Sequence, residues 1–147
     1  MMTDQPKHVL VACGLVRNDP GQLLLVKHRL RGWELPQGRV EEGEGLVFAL
    51  SREILEETGV TVNHARLAVI WSKVSHPAAV IFCFIARYAS GALQPSDETP
   101  EVSWCSDIEA KRLVTHPVNR DRMASVLAFD GALKLHSYAT GPYRVLS

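Results

Sequence analysis

In the stretch "SREILEETGV", Glu53, Glu56 and Glu57 stand three and four residues apart, so on a helix all three carboxylates share one face. The segment 38–60 around them carries six carboxylates and two basic residues, in a chain that balances 16 Lys and Arg against 16 Asp and Glu. Like charges one helical turn apart repel by roughly 0.2–0.5 kcal/mol per pair. A solvated acidic face would tolerate that cost, and the carboxylates alone do not exclude it. Their other use is to hold a hard divalent cation such as Mg²⁺, which takes a few carboxylates, waters and substrate phosphates as ligands. The flanking residues favour the cation. Gly38, Gly43 and Gly45 form a close-packing loop ahead of the helix, Glu44 can cap or brace it, and Arg52 can pair with Glu56 one turn on.

The elements that must position this face read as strands on either side of one central helix. Residues 8–16 predict a strand, "NDPG" a turn, and "QLLLVKHR" a second, antiparallel strand with a basic end at Lys27, His28 and Arg29. "RGWELPQG" breaks regular structure. Residues 44–58 predict the helix, with Gly59 where a left-handed C-terminus forms. On its wheel, Val47, Phe48, Leu50, Ile54, Leu55 and Thr58 form a wide apolar arc beside a narrow carboxylate ridge. Two β-rich segments follow, separated by "SHP", then the polar loop "SGALQPSDETP" and the short strand "EVSWCS". Residues 119–129 predict a second helix, and the remainder has no clear period. The pattern specifies a single α+β domain spanning 1–147, an α/β/α sandwich around a mixed sheet.

Gly38, five residues, Glu44, seven residues, and then "REILEETGV" from Arg52 to Val60 resembles the Nudix box, and "WELPQG" resembles its lead-in. The box covers about a sixth of the chain. On these residues the chain is similar to the Nudix (MutT-like) hydrolase family. The resemblance implies the Nudix fold, a loop–helix–loop catalytic motif, and Mg²⁺- or Mn²⁺-dependent hydrolysis of a diphosphate linked to a nucleoside or another group. By position, Glu53, Glu56 and Glu57 match the family's metal-binding carboxylates. Glu98, in "SDETPEVSW", matches a loop acid that often supplies a ligand or base, and Glu53 is the other candidate base. Gly38 matches the loop glycine at the substrate, while Glu44 and Arg52 match bracing residues.

Beyond the box the signals are thinner. Lys27 and Arg29 could contact phosphate oxygens, or be ordinary surface charge. Asn119 resembles the place where relatives hold a purine edge, yet an Asn at a helix start is also a good cap. Pro77 serves as a turn residue, and Trp33 and Trp104 as core residues rather than base-stacking ones. Gln37 stands where many relatives have glycine, and its side chain could narrow the phosphate channel.

The totals bound the alternatives. A neutral chain gives no electrostatic case for nucleic-acid binding, and scattered Lys and Arg show no basic path for capped RNA ends. The lipoprotein-like "LVAC" has too short an apolar run before Cys13 to be a leader. No stretch reaches the ~18 apolar residues of a membrane span. Three scattered cysteines fit buried thiols in a reducing, cytoplasmic setting. No DNA-binding domain is apparent, which favours an enzyme over a regulatory sensor, as the complete set of glutamates does over a silent nucleotide-binding module. A homodimer is compatible with the family resemblance, but no segment identifies its surface.

Overall fold

The computed structural model describes residues 5–147. Its elements run β1 (Val9–Arg17), β2 (Leu23–His28), β3 (Gly32–Glu34), β4 (Gln37–Arg39), α1 (Leu46–Thr58), β5 (Thr61–Lys73) and β6 (Ala79–Ser90). They continue through β7 (Glu101–Cys105), α2 (Asp107–Leu113), α3 (Pro117–Leu127), β8 (Lys134–Ala139) and β9 (Arg144–Val145). One mixed sheet has the order β3-β2-β1-β6-β5-β8-β9, with β4 beside β1 and β7 beside β2. The β1–β6 and β5–β8 pairs are parallel and the rest antiparallel.

β1 and β2 are almost continuously apolar because both faces of the sheet are covered. Ala12, Val16 and Leu24 pack toward α1 against Leu50 and Ile54. Cys13, Leu15, Leu23 and Leu25 point the other way, into a core with Met123 and Val126 of α3. The expected α/β/α sandwich is the observed architecture. Gly14 lets α1 close on β1, since a Cβ there would lie 3.0 Å from Leu50 Cδ1 and 3.1 Å from Ile54 Cδ1.

Several elements differ from the sequence reading. "RGWELPQG" contains the two short strands β3 and β4, which pair with β2 and β1, and the break is confined to Leu35 and Pro36. Gly38 therefore sits in a strand, opposite Ala12, and not in a flexible loop. α2 went unread although Ser106 and Glu109 form a capping box at its start. α3 begins at Pro117 with His116 as its N-cap, so Asn119 caps nothing. β8 and β9 lack a legible period because residues such as Leu135, 69% exposed, lie at the open margin of the sheet. The apolar arc of α1 is also narrower than its wheel implies. Val47, Phe48 and Leu55 are exposed, and the buried stripe is Ala49, Leu50, Ile54, Glu57 and Thr58. Gly59 ends the helix in the left-handed region at φ 80° as anticipated.

All three cysteines are buried and free. Trp33 and Trp104 pack on the two cores. Among the described residues no helix is long and apolar enough to cross a membrane.

Candidate active site

Glu57 lies two turns beyond Leu50 on the inward line of α1 and is only 7% exposed. Its Oε1 accepts the backbone N–H of Gln37 at 2.9 Å, which ties the helix to β4. Burial, with the charges of Glu53 and Glu34 close by, pushes the Glu57 carboxyl up to about 8. Glu53, one turn earlier, has its carboxylate where a Cβ of Gly38 would be, and burial raises it too. Glu56 turns outward, with a side chain 59% exposed, and touches Arg52 Nη1 at 3.3 Å.

Arg52 is the staple of this face. Its Nε and Nη2 donate to the Glu44 carboxylate at 2.6 and 2.7 Å, and Nη1 donates to Glu53 at 2.9 Å. Nη2 also reaches the Arg39 carbonyl at 3.1 Å, so one guanidinium joins β4, the loop and α1. Glu44 accepts the Glu41 N–H as well, at 2.7 Å, and its contact with Arg52 holds its carboxyl down to about 2. Glu44, Arg52 and Glu53 thus form one chain of ion pairs from the loop onto α1, while the helix N-cap, Gly45, receives no side-chain cap.

Glu98 reaches the same cavity on the loop before β7. Two ties bring it there. Buried Thr99 donates from Oγ1 to the Glu57 carbonyl at 3.0 Å, and Gln94 N donates to the Thr58 carbonyl at 2.8 Å. Arg29 holds the other side, with its backbone N–H on the Glu98 carbonyl at 3.4 Å and its guanidinium on the Asp97 carbonyl. Thr99→Val removes a buried donor and should cost about 1 kcal/mol of stability. If the loop serves the chemistry, turnover falls by about tenfold at the same time, as expected when a positioned acid is loosened. Unchanged kcat in a variant with a lowered Tm would detach Glu98 from the reaction.

The cavity has a volume of about 520 Å³. Glu53, Glu57 and Glu98 line it, and Arg31, Arg39, Lys73 and Arg122 are among the cations that do so as well. Lys27 and Arg29 do not line it. Lys27 pairs with Glu101 at 3.3 Å on the outside of the sheet, and Arg29 serves the loop as described. Asn119 does line the cavity, buried in the first turn of α3. Its Nδ2 donates to Glu34 at 3.1 Å, and its Oδ1 accepts from Gln37 at 3.3 Å. Gln37 directs its side chain into this cluster and not across the cavity, since its Oε1 accepts from Arg122 Nη1 at 2.6 Å. Arg122 Nη2 donates to Tyr138 Oη at 3.2 Å, while its Nε is buried without a partner among the described residues.

Sequence reading missed Arg31, Glu34, Arg122 and Tyr138. A charged residue at the interior position of "WELP" was the available signal for Glu34, because an apolar setting demands partners for it. Arg122 and Tyr138 sit on α3 and β8, and nothing local announces that they meet.

Among the described residues, no three His, Cys, Asp or Glu side chains converge as a ready-made cation site. The donor set nevertheless fits a hard divalent ion. Mg²⁺ needs only a few protein carboxylates when waters and substrate phosphates complete its shell. The raised carboxyls of Glu53 and Glu57 mark a place where added positive charge is favourable.

An Arg-stapled loop and helix presenting buried carboxylates to a cavity, on a mixed sheet between helices, define a Nudix-type hydrolase. The family model described as NUDIX domain matches residues 7–126, and the chain belongs to the Nudix family of hydrolases. It is 30% identical over 127 residues to a MutT-like protein of Streptomyces ambofaciens, covering 86% of this chain and 76% of that one. It is 38% identical over 95 residues to the human 8-oxo-dGDP phosphatase NUDT18, covering 62% of this chain and 28% of that protein. The chain spans less than half the length of most of the curated relatives it matches. The crystal structure of the MutT protein from Bacillus halodurans superposes with a TM-score of 0.81 at 28% identity, over 95% of both chains.

Proposed function

We propose that this chain is a divalent-metal-dependent pyrophosphohydrolase that cleaves a nucleoside diphosphate derivative by water attack on phosphorus. The observation that carries the reading is the cavity itself, whose lining combines Glu53, Glu57 and Glu98 with the guanidinium groups of Arg31, Arg39 and Arg122. A diphosphate repels hydroxide, and a bound Mg²⁺ or Mn²⁺ would neutralise that charge and acidify a water. Glu53, Glu57 and Glu98 line the cavity and would hold the ion, and Glu56, which faces outward onto Arg52, would join them only by turning from that contact. Glu53 stays in place because Arg52 holds it from one side and Gly38 leaves room for it on the other. Glu98, exposed on its loop, can accept the proton of the attacking water, and Glu53 is the second candidate for that role. Asn119 retains one amide hydrogen after its bond to Glu34, which suits an acceptor on the nucleoside.

The name of the human relative supports oxidised guanine nucleotides as the first substrates to try. Three free, buried thiols suit a cytoplasmic setting. The test is a Mg²⁺-dependent phosphate-release screen, coupled to a pyrophosphatase and a phosphatase, across nucleoside triphosphates, 8-oxo-dGTP, 8-oxo-dGDP, ADP-ribose, dinucleoside polyphosphates and sugar nucleotides. One substrate should be cleaved well ahead of the rest, with release abolished by EDTA. Cleavage that persists in EDTA, or no cleavage of any nucleotide, would overturn the reading.

A further inference from the structure

We propose that Arg31 is the residue that clamps the substrate's phosphates, and that the buried Glu34 is the positioning residue that aims it. The inference rests on the pyrophosphohydrolase reading above.

Glu34 is 1% exposed at the end of β3. Four donors converge on its carboxylate. Arg31 Nε approaches Oε1 at 2.7 Å and Arg31 Nη2 approaches Oε2 at 3.0 Å. Asn119 Nδ2 adds a bond to Oε1 at 3.1 Å, and Gln37 Nε2 adds one to Oε2 at 2.7 Å. An ionised carboxylate offers about four lone-pair sites, so Glu34 has none left for a ligand or a metal ion. Its remaining function is to hold its donors in place.

Arg31 is fixed at both ends. Its backbone N–H, and that of Leu30, donate to His28 Nδ1 at 3.4 and 3.1 Å, and Gly32 closes the turn at φ +80°. The bidentate contact with Glu34 consumes Nε and one Nη2 hydrogen. The Nη1 group makes no hydrogen bond to any described residue, and Arg31 lines the cavity together with Glu57 and Glu98. A planar guanidinium locked along one edge presents its other edge without further loss of side-chain freedom, and that fork matches two phosphate oxygens. Arg39 also lines the cavity and its guanidinium has no partner among the described residues, but it is exposed and nothing orients it. The remaining Lys and Arg candidates are otherwise engaged. Lys27 and Arg29 lie off the cavity, Lys73 Nζ donates to the Pro77 carbonyl at 3.1 Å, and Arg122 is tied into the Gln37–Tyr138 cluster.

The test is calorimetric titration with Mg²⁺ present, using α,β-methylene-GTP and inorganic pyrophosphate as probes. The proteins compared are the wild type, Arg31→Ala, Arg31→Lys, Glu34→Gln and the Arg31→Ala/Glu34→Gln pair, with melting curves confirming that each folds. Arg31→Ala should weaken both probes about 10- to 100-fold, the range of a charged hydrogen-bonded contact. Arg31→Lys should restore only part of that loss, because a point charge lacks the fork. Glu34→Gln should also weaken binding. Toward pyrophosphate the double variant should be no worse than Arg31→Ala, since on the phosphates Glu34 acts through Arg31, while its hold on Asn119 bears on the nucleoside only. Unchanged affinity for both probes in folded Arg31→Ala would overturn the clamp. Additive losses of pyrophosphate affinity in the double variant would overturn the positioning role of Glu34. A wild type that binds pyrophosphate but no nucleotide would overturn the nucleotide reading, while its dependence on Arg31 would still support the clamp. Binding of neither probe would sink both.

Discussion

Glu57→Gln should lower Mg²⁺-dependent turnover by about 10³-fold while making the metal-free protein more stable at pH 8. The first effect follows from removing a carboxylate that is both buried and aimed at the cavity, where a lost charge contact in the transition state costs several kcal/mol. The second follows from linkage. The Glu57 carboxyl titrates near 8 in the folded chain, against an ordinary value of 4.5. Below pH 4.5 it is protonated in both states and burial costs nothing. Between 4.5 and 8 the folded chain keeps a proton that the unfolded chain has released, so stability falls as pH rises. Above 8 the charge is buried and the whole penalty, on the order of 5 kcal/mol, is present. A glutamine carries no charge and can still accept the Gln37 N–H through its own oxygen. Melting curves in EDTA from pH 5 to pH 9 should therefore show the wild type losing stability across the range and the variant losing less. Added Mg²⁺ should raise the wild-type Tm at pH 8 and leave the variant nearly unmoved. Parallel curves with and without the substitution would remove the buried charge from the account. Full turnover by Glu57→Gln would remove the residue from the site.

Gly38→Ala is the second large effect, and it tests geometry where the first tests charge. Gly38 is in β4, outside the positive-φ region, so the backbone itself accepts alanine. The obstacle is steric. A methyl group at 38 would overlap the carboxyl carbon and both oxygens of Glu53. Either Glu53 swings away from Arg52 and the cavity, or β4 separates from α1 and weakens the Gln37–Glu57 bond. Both displace a carboxylate by about the distance that costs 10²-fold in rate. A kcat lowered 10²- to 10³-fold, with about 1–3 kcal/mol of lost stability from overpacking, is the expected outcome. Near-normal kcat would mean that Glu53 has no fixed place in the reaction.

Residue spacing sufficed for the local part of this site. Positions 53, 56 and 57 must share a helix face because of the helical period, Arg52 must neighbour them, and Gly59 must end the helix, whatever surrounds them. The apolar runs of β1 and β2 likewise suit a sheet covered on both sides. Period, however, reports which residues point together and not which way they point. Glu57 proved to lie in the middle of the buried stripe and Glu56 outside it, because α1 settles on Gly14 with Leu50 and Ile54 beneath it. The same limit applies to cations. Lys27 and Arg29 look as able to meet phosphate as Arg31 does, until the pairing of β2 with β7 gives Lys27 to Glu101 and the turn folds Arg31 back onto Glu34. Asn119, Arg122, Gln37 and Tyr138 come from three elements, of which β4 lies far from α3 and β8 in the chain. Their hydrogen bonds exist only after α3 and β8 have packed against the sheet, since burial is what obliges each polar group to find the others.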